Sequence, residues 1–364
     1  MRIAFHAPLK PPSHPVPSGD RKMARQLVKG LSAAGHEVAV ASELRARLAD
    51  ASPAALQALR EAAEGERARI AAAWRRDGPP DLVFCYHPYY RSPDLVTLPL
   101  ARDFSLPYVT AEASWSSRRD AEGWAAQQEL AMDAVRHARV NFAFTPRDAA
   151  GLREVEGAGR IVELPPFIDA DDDVPPAARP AGGPLRLAAT AMMRPGNKTE
   201  SYGFLARSLA MLGDLDWTLD IVGDGPLRDE VHAAFADFPA GRIRFHGEVA
   251  PDAVPAVLAA CDLFVFPGWR EAYGVSYLEA QRAGLPVVAF DNAGVPAVVK
   301  RGETAILVEA GDAAAHAAAI RALAADPRRL REMAKAARDF VIGERGLDSA
   351  ISRIDAVLRE VAGR

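Results

Sequence analysis

The feature that most constrains this chain is an alternation. Short apolar runs, three to five residues long, recur between longer stretches of helical periodicity along most of its length. That rhythm builds βαβ units and therefore parallel sheets, because a parallel neighbour can be reached only through a crossover. In the first half the expected strands are Ile3–His6, Glu37–Val40, Leu82–Tyr86, Tyr108–Ala111, Val140–Phe144 and Ile161–Leu164. A helix is expected near Arg21–Ala34, stopped by Gly35, and the Ala/Arg/Glu-rich stretch from Leu44 to Arg76 predicts one or two surface helices. Residues Asp169 to Pro184 then hold Asp, Pro, Ala and Gly with a single Val and a single Arg, which cannot bury a face and reads as a linker. The alternation restarts with Leu185–Ala189, Leu219–Val222, Ile243–Phe245, Leu263–Phe266, Val287–Phe290 and Ile306–Val308. A last amphipathic pattern, apolar at 351, 354, 357 and 358, predicts a terminal helix. The expected fold class is α/β: two Rossmann-like, doubly wound parallel-sheet domains, at 1–168 and 185–344, separated by the linker 169–184. Ligands of such sheets bind at the carboxyl edge of the strands, so site residues should come from loops after strands, in both halves and facing a central cleft.

Composition narrows the field. At 364 residues, 49% hydrophobic and 25% charged, the chain has material for two cores and is no disordered or low-complexity segment. Its 44 Lys+Arg stand against 48 Asp+Glu, a net charge of −4, so no bulk positive field draws it onto nucleic acid. Of the cations, 38 are Arg and 6 are Lys. Two cysteines, Cys85 and Cys261, lie far apart in apolar runs without metal-type or redox-type neighbours, which fits a reducing compartment. The chain enters its first strand without a signal-type leader and holds no run of the roughly 18 apolar residues a spanning helix needs. The expected location is cytoplasmic. The Arg-rich stretch Arg45 to Arg76 is either a solvated helical face or a peripheral contact with the inner membrane surface.

The most informative stretch runs from Pro267 to Val288. It reads as a strand end, a loop with Glu271 and Gly274, and a short helix from about Ser276 stopped by Gly284 and Pro286. Backbone N–H groups of Gly274, Val275 and Ser276 would open that helix toward the cleft, a ready anion site. Glu279 has two readings: it completes a Ser-x-x-Glu capping box with Ser276, or it holds hydroxyls. Glu271 precedes the helix and cannot belong to the box. Two carboxylates flanking an anion-binding helix start suit a diphosphate with a sugar at each end. Arg194-Pro-Gly-Asn-Lys198 follows the first strand of the second domain, and its Pro-Gly turn could aim both cations at one place, as exposed loop positions. Gly223-Asp-Gly225-Pro226 follows another strand; it fails as G-x-G-x-x-G because Arg228 stands at the last Gly, and is either a close approach to a base or a plain β-to-α turn.

In the first domain Pro17-Ser18-Gly19-Asp20-Arg21 opens a helix after the first strand. Gly19 would admit a phosphate or sugar, or Ser18 or Asp20 simply caps the helix. His87 and Glu112 end two successive strands and are candidates for catalysis or for structural polarity. The remaining histidines, His6, His14, His36, His137, His232, His246 and His316, show no metal-ligand spacing and read mostly as surface or loop residues. Asp171-Asp172-Asp173 in the linker and Asp214-x-Asp216 before a strand are misplaced for a metal clamp on a diphosphate, so no metal is expected.

Taken in order, these pieces resemble a known family. Leu185 to Asp312 is similar to the nucleotide-sugar domain of glycosyltransferase family 4, retaining enzymes of the GT-B fold, and the whole chain resembles that family in length and order. The resemblance rests on Gly19, the Ile221–Pro226 glycine turn, Arg194 with Lys198, and Glu271-x7-Glu279 followed by Ala280-x-x-Ala283-Gly284-x-Pro286-Val287-Val288. It implies that Glu279 binds ribose hydroxyls, Glu271 the transferred sugar, Arg194 and Lys198 the diphosphate, and Gly274 to Ser276 its oxygens. It also implies that the terminal helix, residues 345–364, crosses back onto the first domain. Where the family usually carries His after the Tyr108–Ala111 strand this chain has Glu112, while His87 ends the strand before it. Pro166-Phe167-Ile168-Asp169 replaces the family's Asn-Gly-x-Asp.

The function so implied is transfer of a hexose-type sugar, with retention and without metal or other cofactor, from a UDP-, GDP- or ADP-sugar to a hydroxyl of a glycan, lipid or small molecule. Two alternatives share the architecture: a catalytically silent nucleotide-sugar-binding or scaffold protein, for which Glu112 speaks, and a nucleotide-sugar 2-epimerase.

Overall fold

The computed structural model describes residues 1–169 and 183–363, so most of the expected linker, including Asp171 to Asp173, lies outside the described residues. The chain divides into two compact units, Met1–Pro165 with Leu347–Arg364, and Pro166–Gly346.

The first unit runs β1 (Arg2–His6), α1 (Gly19–Ala33), β2 (Glu37–Ser42), α2 (Pro53–Asp77), β3 (Leu82–Tyr86), α3 (Thr97–Asp103), β4 (Tyr108–Ala111), α4 (Ala125–His137), β5 (Val140–Ala143), α5 (Pro146–Arg153) and β6 (Arg160–Glu163). Its strands form one six-stranded sheet in the order β2-β1-β3-β4-β5-β6, all pairs parallel. Period-two alternation splits the core. Phe5, Phe84 and Phe142 cross one face with ring centroids 5.8 and 6.3 Å apart. On the other, Ala4, Val83, Cys85 and Tyr108 pack with Leu98 and Ala101 of α3 and Ala134 of α4. Each fully buried side chain of this size contributes about 1.5–3 kcal/mol.

The second unit runs β7 (Leu185–Thr190), α6 (Asn197–Ala210), β8 (Trp217–Val222), α7 (Arg228–Ala234), β9 (Ile243–Gly247), α8 (Val254–Ala259), β10 (Leu263–Phe264), α9 (Val275–Arg282), β11 (Val287–Phe290), β12 (Ala305–Val308), α10 (Ala313–Ala325) and α11 (Pro327–Glu344). Its sheet has the order β12-β11-β10-β7-β8-β9, again parallel throughout. The terminal helix α12 (Leu347–Val361) belongs to the first unit. It buries Leu347, Ala350, Ile351, Ile354 and Leu358, and His36 Nε2 meets Asp355 Oδ1 at 2.8 Å. Both sheets are those expected from the alternation. Among the described residues no helix is long and apolar enough to cross a membrane.

Several local expectations give way. The stretch from Leu44 to Arg76 holds one helix, within the one or two expected, but it starts only at Pro53, with Ser52 as its cap. Pro53 pre-sets the first helical φ, while Leu44, Ala46 and Leu48 upstream bury themselves against α2 and Trp124 instead. Pro226, whose fixed φ suits a first helical position, stands two residues short of one, since α7 starts at Arg228. Three histidines assigned to the surface are buried: His6, His36 and His316 expose 1%, 6% and 0%. A histidine ring buries readily once one nitrogen has a partner, here Asp94, Asp355 and the Val288 carbonyl respectively.

Candidate functional site

Each sheet has one place where strand order reverses, and ligands of open α/β sheets bind outside the strand ends at that point. In the second unit it falls between β7 and β10, in the first between β1 and β3. The chemistry-bearing residues gather at both.

At the β7/β10 point two helix starts lie side by side. The segment after β7 turns at Gly196, the N-cap of α6, and the loop after β10 turns at Gly274, the N-cap of α9. Neither end has a side-chain cap, and the N–H groups of Val275 and Ser276 have no backbone acceptor among the described residues. Two uncapped helix starts present several donors to an anion. Lys198, in the first turn of α6, donates to Glu271 Oε2, and its ammonium lies 5.5 Å from the centroid of Phe266. Asn197 Nδ2 donates to the Arg270 carbonyl at 3.0 Å, a second tie between the two segments. Arg194 is half-buried and, among the described residues, its guanidinium has no protein partner.

Three expectations change here. Lys198 is not an exposed loop residue but a half-buried helical one engaged by Glu271. The capping box fails, because α9 is capped at Gly274 and Ser276 lies inside it; Glu279 sits half-buried one turn on. Gly223 and Gly225 are explained by packing: a Cβ on either would come 2.0 Å from the Ala191 carbonyl oxygen or 2.4 Å from that of Met193. These glycines let the turn after β8 lie against the segment that carries Arg194.

The loop bearing Glu271 is clamped from beneath. Tyr277 Oη donates to the Phe266 carbonyl, Ser201 Oγ accepts from Trp269 N–H, and Asn292 Oδ1 accepts from Arg270 N–H, at 3.0, 2.9 and 2.9 Å. Gly294 N–H donates to the Glu271 carbonyl at 3.0 Å, and a Cβ on Gly294 would fall 1.4 Å from the Ala272 carbonyl oxygen. Gly274 holds φ +75°, and a Cβ there would meet the Tyr277 ring at 2.6 Å.

At the β1/β3 point of the first unit, Ser18 caps α1, accepting from Arg21 N–H at 3.2 Å, so Gly19 is the first helical residue, with open space where a Cβ would stand. Asp20 follows it. His87 Nδ1 lies 3.2 Å from Asp20 Oδ1 and 3.6 Å from Glu112 Oε1, between two carboxylates and aligned squarely with neither. Tyr86 Oη donates to Glu112 Oε2 at 2.7 Å, and the Tyr89 ring lies 4.8 Å from the imidazole. Burial works against a charge on His87, yet Glu112 and Asp20 outweigh it and Asp148 adds to them, holding the imidazole at about 9. Burial alone would raise the carboxyl of Asp20, but the His87 contact keeps it below its ordinary value. Burial does raise Asp148.

Two clusters, Asp20/His87/Glu112 and His6/Cys85/Asp94, hold three donor atoms within 4.8 Å of one another. In the first, the carboxylates of Asp20 and Glu112 raise the affinity of the His87 imidazole for a proton, which would compete with a cation for the same ring nitrogen. In the second, Asp94 already accepts from Val96 N–H, Thr97 N–H and Tyr108 Oη, at 3.0, 2.7 and 2.9 Å, beside His6. The acidic pair set aside from the sequence is occupied elsewhere: Asp214 binds Arg321 and Asp216 faces Arg242.

Sequence reasoning found the strand-end residues but not their supports. Asp20 figured only as a cap, and Asp148, Asn197, Asn292 and Gly294 did not figure. A backbone signal marks the sites: of five non-glycine residues at positive φ among the described residues, four are His87, Glu112, Arg270 and Ala293. Such strain, about 1–3 kcal/mol each, clusters at functional sites.

The fold is of the GT-B class. Over 100% of this chain and 99% of its own, the sucrose-phosphate synthase of Thermosynechococcus elongatus superposes with a TM-score of 0.80 at 20% identity. Anabaena HepE, solved in complex with UDP-glucose, superposes with a TM-score of 0.74 at 15% identity over 99% of this chain and 100% of its own. Within that class, residues 186–326, which hold Arg194, Lys198, Glu271 and Glu279, match the family model described as Glycosyl transferases group 1. The 2-deoxystreptamine glucosyltransferase of Streptomyces kanamyceticus is 29% identical over 249 residues, 64% of this chain and 63% of that protein. The chain thus spans under two thirds of the length of the curated relatives it matches first.

Proposed function

We propose that the protein is a glycosyltransferase that takes its sugar from a nucleotide-diphosphate donor and transfers it to a hydroxyl, with retention and without a bound metal. The carrying observation is the convergence, inside the matched stretch, of two uncapped helix starts with Arg194, Lys198 and Glu271.

Sugar transfer builds positive charge on the anomeric carbon while diphosphate departs with growing negative charge. Rate enhancements of about 10⁶ or more require at least about 8 kcal/mol. A helix start supplies about 0.3–2 kcal/mol and each charge-assisted hydrogen bond about 1.5–3, so several donors must act on the phosphates together. Arg194, whose guanidinium has no protein partner among the described residues, is open to an anion at once. Lys198 becomes available as the diphosphate displaces Glu271, which frees that carboxylate for hydroxyls of the sugar. Glu271 is then a sugar-positioning group and not a covalent nucleophile, and Glu279 holds the ribose. In a retaining transfer, departure and attack share one face, and the leaving phosphate oxygen takes the acceptor proton. The donors named in comparable proteins are UDP-glucose for HepE and GDP-mannose for a mycobacterial mannosyltransferase that is 33% identical over 135 residues. The same chemistry, with a UDP, GDP or ADP donor and a glycan, lipid or small-molecule acceptor in the cytoplasm, is proposed here.

The test is product analysis with a panel of nucleotide sugars. Slow release of free sugar without acceptor, with the anomeric configuration retained by NMR in the first-formed product, is expected. Tight nucleotide binding without turnover across the panel would indicate a silent binding protein. An isomeric nucleotide sugar of unchanged mass would indicate an epimerase.

A further inference from the structure

The first unit carries a second constellation, at its own switch point, that the proposed chemistry above does not use. His87 and Glu112 end adjacent strands β3 and β4, and each adopts positive φ, +61° and +59°. Both are pinned by ladder hydrogen bonds that continue the sheet: His87 N–H to the Ala111 carbonyl at 2.7 Å, and Glu112 N–H to the Phe142 carbonyl at 2.8 Å. Two strained residues side by side, each held by its neighbour strand, fix the imidazole against the carboxylate. Asp20, from the first turn of α1, closes the other side. Tyr86 Oη donates to Glu112 Oε2, and Glu112 Oε1 faces His87 Nδ1 at 3.6 Å. Nδ1 faces both carboxylates without a well-aligned hydrogen bond to either, whereas Nε2 has no hydrogen-bond partner among the described residues.

We propose that Asp20 and Glu112 hold His87 as an imidazolium whose Nε2–H donates a hydrogen bond to a hydroxyl of the bound substrate, with Asp20 the positioning residue. This rests on the glycosyl-transfer reading for the identity of the substrate, but not for the ion cluster itself. The charged groups facing the imidazole come from three elements besides β3: Asp20 of α1, Glu112 after β4, and Asp148 of α5. Lys10 acts on Asp20 and Arg147 on Asp148, each favouring the carboxylate form. Three carboxylates around one imidazolium disfavour a phosphate dianion, so the natural recipient is a neutral oxygen. With both ring nitrogens protonated, His87 does not act as a general base at neutral pH. The cluster also accounts for Glu112: the carboxylate stands beside the imidazole that β3 supplies.

The first experiment reads the ion cluster without any turnover. In ¹³C/¹⁵N-histidine-labelled full-length protein, the His87 imidazole, assigned by its loss in His87→Asn, is titrated by NMR. It should lose its proton near pH 9 in the wild type. In Asp20→Asn and Glu112→Gln it should do so at least about one unit lower, the usual effect of removing an opposite charge within 4–6 Å. Wild-type titration at or below 6.5, or no movement in both variants, overturns the proposal. The second experiment is the pH profile of kcat/KM with nucleotide sugar. A basic limb near pH 9 should move down with Asp20→Asn and vanish in His87→Asn, while calorimetric binding of the free nucleotide diphosphate stays within about threefold. A limb that persists unchanged in His87→Asn overturns the role of Nε2–H. Loss of activity on EDTA dialysis, restored by a divalent ion in wild type but not in His87→Asn, would make the cluster a metal site and also overturn it. If no nucleotide sugar turns over at all, the enzymatic reading fails while the NMR titration still decides the cluster.

Discussion

Lys198 and Glu271 satisfy each other in a half-buried pair, and among the described residues Arg194, a few residues away, has no such partner. This asymmetry separates two otherwise similar cations. Lys198→Ala should lower kcat by about 10²–10³, the usual loss on removing one transition-state donor, while circular dichroism shows an intact fold. Near-normal turnover, or unfolding, would contradict the role assigned to Lys198. A different buried carboxylate serves the fold alone. Asp94 is fully buried and accepts from His6, Tyr108, Thr97 and two backbone N–H groups, which hold it below the ordinary carboxylate range against the cost of burial. Asp94→Ala strands those donors and should cost about 3–5 kcal/mol in urea denaturation; a loss below about 1 kcal/mol would show that the network relaxes. Residue identity alone could not tell these carboxylates apart. Glu271 and Asp94 each follow a β-strand, and only the donors that surround them set the two apart.

Elements were more legible than residues. Every expected strand is present within a residue or two of its place, because three to five apolar residues between crossovers leave little choice of partner. Helix starts were harder to read. Ser276 has the spacing of a capping box, yet the helix begins one residue earlier, because Gly274 at positive φ and Tyr277 beneath it fix the turn. Gly294 shows the same limit. Nothing in its neighbourhood in sequence signals that it supports Glu271, which lies 23 residues away, since the contact exists only once β11 is beside β10. Gly294→Ala should displace the 271–274 segment, raising KM for the donor more than tenfold with little change in far-ultraviolet dichroism. An unchanged KM would show that the loop is set by other ties. At the terminal helix, Ile354 is 0% exposed. Ile354→Ala should destabilise the first unit by about 2–5 kcal/mol, seen as a lower first transition in calorimetry, and a melting profile identical to wild type would contradict the docking of α12.

At the scale of the whole molecule, the titrating groups bracket a window of stability. His87 is raised from 6.5 to about 9, so its contribution is fully present below 6.5 and is lost as pH rises through 9. His316 is lowered from 6.5 to about 4 by burial, so it favours the fold above 6.5 and penalises it increasingly as pH falls toward 4. Asp94, held low, likewise withdraws its support only in acid. Thermal stability should therefore peak near neutral pH, and a maximum below pH 5 or above pH 9 would contradict these assignments. The two-domain α/β architecture could be read from the alternation alone, and the candidate residues of the second unit from their order after strands. The cluster around His87 could not, because it joins positions 20, 87, 112 and 148, which only the sheet order brings together. The most direct test of the account is calorimetric titration of the full chain with UDP, GDP and ADP, repeated in EDTA and with Lys198→Ala. The account predicts that one of the three binds, that the affinity survives EDTA, and that it falls at least about tenfold in the variant, the equivalent of one charge-assisted hydrogen bond. Binding that requires a metal, equal binding by the variant, or binding of none of the three would contradict it.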